Sequence, residues 1–295
     1  MPRKANRHQC RAIGMIFAWG AAAALGHAAA ASSAPATAPQ SEPIDKKQFS
    51  YSDLADLALS AQLVTGVTIV GADRLKGDLA PGLAPGTARF LIEANTGMLL
   101  HGNSGIPGMI TYIVDIPLPP GGKLPKLKKA RVILIADRVV GRPQEIRLTS
   151  PYSQLDWTQA NETLLRTILT DASSPAAPPF ITGIGSAFHV PGAIPGESES
   201  QIFLTTNPNR PISLSILRRP GEQPQWAVAL GEMVDDSARA PARDSLLWYR
   251  LACFLPAQLP DRSIATLPDA DAQAVRSDYR FVLDQLGSCG RTIPR

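Results

Sequence analysis

The stretch YSDLADLALSAQLVTGVTIV, residues 51–70, changes its hydrophobic period partway along. Leu54, Leu57, Ala58 and Ala61 recur at helical spacing behind Ser52 or Asp53 as a cap, which predicts a short amphipathic helix over 51–63. From Val64 onward apolar residues alternate with a period of two, so the chain passes from helix to strand without an intervening domain boundary. A helix leading directly into a β-rich region predicts an α+β fold.

Further strands are expected over 88–94, 98–101, 110–116, 131–137 and 145–148, with AlaAsnThrGly at 94–97 read as a hairpin turn. Strands this short and closely spaced suggest an antiparallel sheet that curls into a barrel or sandwich. Residues 155–170 return to helical spacing, with Asp156 and Gln159 resembling a capping box. A second strand set follows at 187–190, 201–206, 212–218 and 225–232, the last three as a meander. Two helices close the chain. One, at 245–255, is apolar nearly all round, capped by Asp244 and stopped by Pro256; the other is capped by Asp269, runs through Leu286 and ends at Gly287. This divides the chain into 1–31, 32–48, a β-rich region at 49–172, a meander region at 173–235 and a C-terminal helical pair at 236–295. The last three are expected to form one compact unit.

The first 31 residues read as a secretory signal peptide. Arg3, Lys4, Arg7 and Arg11 precede the apolar run 12–25, and small residues offer cleavage near Ala30 or Ala31. Residues 32–48 then serve as a flexible linker. The chain carries 29 Lys+Arg and 25 Asp+Glu, but those four arginines and lysines precede any acidic residue, which leaves 25 charges of each sign after cleavage. A balanced charge removes the electrostatic warrant for a nucleic-acid partner. A 14-residue apolar run is short of the roughly 20 residues a spanning helix needs, so no membrane span is expected in the mature chain. The expected location is secreted or periplasmic. Cleavage also removes Cys10, leaving Cys253 and Cys289 as a natural disulfide in an oxidising compartment.

Candidate chemistry is sparse. A serine-type hydrolase could use Ser104 with His101, oriented by Asp115 or Asp137, yet the G-x-S-x-G elbow is missing, and a tight loop needs Gly102, Gly105 and Pro107 in any case. Gly183-Ile-Gly185 begins a dinucleotide fingerprint that lacks its third glycine. His101 and His189 are too far apart in sequence to suggest a metal, so no cofactor or metal is expected. Lys126, Lys128 and Lys129, in a cluster with Lys123 and Arg131, could hold a phosphate, a sulfated glycan or an anionic headgroup. They equally serve as gatekeepers and edge protection for the run 132–136. Residues 191–199 form a Pro/Gly-hinged acidic loop; Glu197 within it and His189, two residues before it, are further binding candidates. The reading that results is a non-enzymatic binding or structural module, its partner an envelope component or small ligand; the hydrolase is the alternative.

The segments FHVPGAIPGESESQIFL (188–204), ISLSILRRPGEQPQWAVALGE (212–232) and LLWYRLACFLP (246–256) resemble a group of exported bacterial proteins of alphaproteobacterial type without assigned function. The resemblance implies an envelope location and transfers no catalytic residue.

Overall fold

The computed structural model describes residues 49–231 and 238–294. The signal-peptide and linker readings at 1–31 and 32–48 lie outside the described residues. The elements in chain order are α1 (Tyr51–Ser60), β1 (Leu63–Leu75), β2 (Thr87–His101), β3 (Met109–Pro117), β4 (Arg131–Arg138), β5 (Ile146–Leu148), β6 (Gln154–Asp156), α2 (Gln159–Ser173), β7 (Phe180–Pro191), β8 (Ser198–Asn207), β9 (Ile212–Arg218), β10 (Gln225–Ala229), α3 (Leu246–Phe254) and α4 (Asp269–Leu286).

The α+β reading holds, with two antiparallel sheets and four helices. In the first sheet the order is β3-β2-β1-β4-β5, with β6 also paired to β4. Strand β1 bonds to β2 along most of its length and to β4 only over Leu63–Thr68. The far edges approach each other where Thr111 N donates to the Gln144 carbonyl at 2.8 Å and Thr111 bridges Glu145 in parallel. The sheet is therefore a small, partly closed Greek-key barrel of the OB type, a topology that by itself assigns no ligand. Bulges in β1 after Val64, Gly66 and Ile69 coil the long β1–β2 ribbon as closure requires. Leu63, Ile92, Ile110, Leu134 and Ala136 pack the interior.

The unbroken apolar run of β4 follows from its position. Val132, Leu134 and Ala136 face the barrel interior, while Ile133 and Ile135 join a second, larger core shared with the helices. Because β4 is paired on both sides, the lysines before it do not guard an edge of β4 itself.

The second sheet is a four-stranded meander, β10-β9-β8-β7. Helices α3 and α4 pack on β7, α2 packs on β2, and α1 contacts α2 and α3. Leu54, Leu165, Ile168, Ile202, Leu214, Tyr249, Val275 and Val282 belong to this common core. Cys253 at the end of α3 is disulfide-bonded to Cys289 beyond α4.

Several local expectations give way to tertiary context. AlaAsnThrGly at 94–97 lies inside β2, not at a hairpin: Asn95 pairs with Thr68 and Thr96 with Val67. Gly97 adopts no left-handed turn conformation, and a Cβ there would come no closer than 3.4 Å, to the Gly66 carbonyl oxygen, so it sits as an ordinary strand residue. Asp156 is taken into β6, so α2 begins later and Thr158 caps it by accepting from Asn161 N at 3.1 Å. Ser50 and Asp53 form the capping box of α1, and Ser245, not Asp244, caps α3. β7 starts at Phe180, seven residues before the expected 187, because Gly183, Gly185 and Ser186 interrupt its alternation.

Candidate functional site

The structure does not assemble Ser104 and His101 into a relay. Ser104 is exposed in the β2–β3 loop, where its carbonyl and that of Gly105 accept from Arg138 Nη2 at 2.7 and 3.1 Å. No hydrogen bond joins Ser104 to His101 among the described residues. The expected carboxylates are occupied elsewhere: Arg89 clamps Asp115 through Nε at 2.6 Å and Nη2 at 2.7 Å, and Asp137 accepts from Gln62 N at 3.3 Å. Arg89 holds the Asp115 carboxyl below the usual carboxylate range against a smaller upward push from burial. His101, at the end of β2, lines a cavity against α2 with Leu169 and Ser173.

A different Ser–His–Asp set does come together. His189 Nδ1 lies 2.9 Å from Ser200 Oγ, which donates to Asp278 Oδ2 at 2.5 Å; Arg218 Nε donates to the other carboxylate oxygen at 2.5 Å. The order is wrong for nucleophilic catalysis, which needs the histidine between serine and aspartate. Here the fully buried serine occupies the middle and spends its proton on Asp278, so His189 Nδ1 must be the donor. The set ties β7, β8 and β9 to α4. Sequence spacing could not show it, because Ser200 and Asp278 are 78 residues apart. Glu197 sits in the tight β7–β8 turn, closed by Gly192 N donating to the Glu197 carbonyl at 2.7 Å. That turn and the β2–β3 loop belong to different sheets.

The lysine candidates do converge on a pocket. Since β4 leaves β1 after Thr68, the second half of β1 lacks a neighbour on that side, and the β3–β4 loop covers it. Lys129 N donates to the Ile69 carbonyl at 2.8 Å and Ile69 N to the Ala130 carbonyl at 3.0 Å, which satisfies the exposed strand. Between strand and loop lies a pocket of about 450 Å³, with Phe90 and Leu127 in its apolar wall and Arg74, Lys126, Lys128 and Lys129 around it. None of these four cations is in an ion pair among the described residues. Lys129 has φ 72°, a left-handed conformation in which glycine would be at ease and a lysine is strained.

No group of three or more His, Cys, Asp or Glu side chains among the described residues is placed to hold a metal ion. No helix among them is long and apolar enough to cross a membrane. No protein-family model matches this chain, and no curated protein matches it.

Proposed function

We propose that the chain is an exported, envelope-associated binding module that receives an anionic amphiphile in the lysine-rimmed pocket of the barrel. The observation that carries this reading is the four cations around an apolar floor containing Phe90, none of them neutralised by a neighbouring carboxylate among the described residues. An anionic headgroup would neutralise the rim while a hydrocarbon segment covers Phe90 and Leu127. The volume of about 450 Å³ falls in the usual small-molecule range of roughly 300–1,000 Å³. The leader-like N-terminus and the Cys253–Cys289 disulfide support an oxidising compartment outside the cytosol. The hydrolase alternative, built on Ser104 and His101, draws no support from the positions of those residues.

The test is calorimetric titration of the full chain with a short-chain phosphatidylglycerol below its micelle concentration, against the phosphatidylcholine of the same chain length. Phosphatidylglycerol is expected to bind at low salt and to lose at least tenfold in affinity in the K126E/K128E/K129E chain or in about 0.5 M salt, where screening shortens electrostatic reach to a few ångström. Equal binding of both lipids, or binding indifferent to the triple substitution, would overturn the proposal.

A further inference from the structure

Arg250 on α3 is 4% exposed, yet its Nε and Nη1 atoms have no hydrogen-bond partner among the described residues. The guanidinium lies over the Phe180 ring, its Cζ 3.3 Å from the ring centroid, and 5.6 Å from that of Tyr249. Stacking engages the faces of the guanidinium and leaves its in-plane N–H groups without an acceptor. The carboxylate of Asp56, whose charge acts on Arg250, is already taken by Arg291 and by the Tyr249 hydroxyl. A buried cation in this state calls for an anion that the described residues do not supply.

Arg250 lines a cavity of about 240 Å³ at the junction of α1, α2, β2 and β7. Leu169, Ala172 and Phe180 supply apolar wall, and His101 and Ser173 are its other polar side chains. A neighbouring recess of about 480 Å³ shares His101, Leu169 and Ser173 with it. We propose that this cavity binds a small organic carboxylate, its charge offsetting that of Arg250 once a small shift of the guanidinium turns Nε or Nη1 toward the cavity, and its apolar body against Leu169, Ala172 and Phe180. Guanidinium and carboxylate match each other's planar, two-point geometry, and a cavity this small and largely apolar suits a compact acid better than a fully hydrated inorganic phosphate. The site is independent of the lysine-rimmed pocket: Phe90 and His101, which mark the two, lie toward opposite ends of β2.

The experiment is calorimetric titration of the full chain with benzoate and with benzamide, its neutral isostere, repeated in Arg250→Met, Ala172→Phe and the K126E/K128E/K129E chain. Benzoate is expected to bind saturably at one site and at least tenfold more tightly than benzamide. Arg250→Met keeps the apolar stem and should reduce benzoate to the benzamide level, while Ala172→Phe fills the cavity and should abolish both. The triple lysine variant should bind benzoate as the unaltered chain does, which separates this site from the other. Equal affinity for benzoate and benzamide would overturn the proposal, as would a preference that survives Arg250→Met. Should Arg250→Met fail to fold, Ala172→Phe decides: benzoate binding unchanged there places the ligand elsewhere and ends the proposal.

Discussion

The Asp53 carboxylate in the first turn of α1 accepts from Thr292 twice, from its backbone N at 2.9 Å and from its Oγ1 at 2.7 Å, across 239 residues of sequence. The same carboxylate takes Ile293 N at 3.2 Å and Ser50 N at 3.0 Å, so one fully buried side chain both caps α1 and fastens the C-terminal tail. Ser52 Oγ reinforces the join by donating to the Cys289 carbonyl at 2.6 Å, as does the Arg291–Asp56 ion pair. A terminal segment that would otherwise fray is held by buried polar bonds.

Asp53→Asn is expected to destabilise the chain by about 3 kcal/mol, since an amide cannot accept from all four donors and turns its own N–H groups toward them. Burial pushes the Asp53 carboxyl up, but hydrogen bonds from Thr292, Ser50 and Ile293 outweigh it and hold the group below its ordinary value. A carboxyl depressed in the folded state contributes stability that is complete above the unfolded value of about 4 and is lost as pH falls through the lower folded value. Urea denaturation at a series of pH values should therefore show a shallower acid decline in Asp53→Asn than in the unaltered chain. Parallel declines would disprove the role assigned to Asp53.

The Cys253–Cys289 bridge, spanning 36 residues, ties that same tail to α3. Closing a loop of this length is worth about 3–4 kcal/mol in the chain-entropy model, so Cys253→Ala/Cys289→Ala should lower stability by that order. Unfolded without reductant, the full chain should offer a thiol reagent only Cys10. Modification of two further thiols would contradict the bridge.

What the sequence showed depended on whether the signal was local. Helix α4 was legible in its extent because the apolar stripe and Gly287 lie within one element, and Gly287 takes the φ of 69° that ends it, although Asp269 is its first residue and Pro268, not Asp269, stands at the N-cap. The meander was legible for the same reason, except that the glycines of β7 hid its first half. Barrel closure was not, because it rests on the Thr111–Gln144 contact between distant segments. Lys126, Lys128 and Lys129 were readable as a cluster, but their pocket exists only because β4 parts from β1 at Thr68. Arg250 gave no signal at all, since an arginine within an apolar helix reads as surface until its burial is known.

Lys129→Gly should move stability and binding in opposite directions. Glycine relieves the left-handed strain at φ 72° and is expected to stabilise the fold by about 0.5–1 kcal/mol after its entropic cost. It also removes a cation from the rim and should weaken phosphatidylglycerol binding severalfold. Thermal denaturation and calorimetry on one preparation read both effects. A variant that gained stability with unchanged binding would remove Lys129 from the proposed site.

The Ser200–Asp278–Arg218 set should behave as a coupled buried charge, not as separate bonds. Asp278 is 1% exposed, so Arg218→Met leaves a buried carboxylate with Ser200 as its remaining hydrogen-bond donor and is expected to cost about 3 kcal/mol. Asp278→Leu removes the charge whose burial Arg218 offsets, while Arg218, about one-third exposed, can turn to water. The double variant Arg218→Met/Asp278→Leu is therefore expected to be markedly less destabilised than the sum of the two single changes. Ser200→Ala should cost about 1–2 kcal/mol through the lost bonds to Asp278 and His189. Nitrogen-15 NMR of neutral His189 should find the proton on Nδ1, because the Ser200 proton points to Asp278 and leaves only a lone pair for the ring. An Nε2-protonated ring, or strictly additive energies in the cycle, would mean that the set does not hold β8 to α4 in the way its geometry implies.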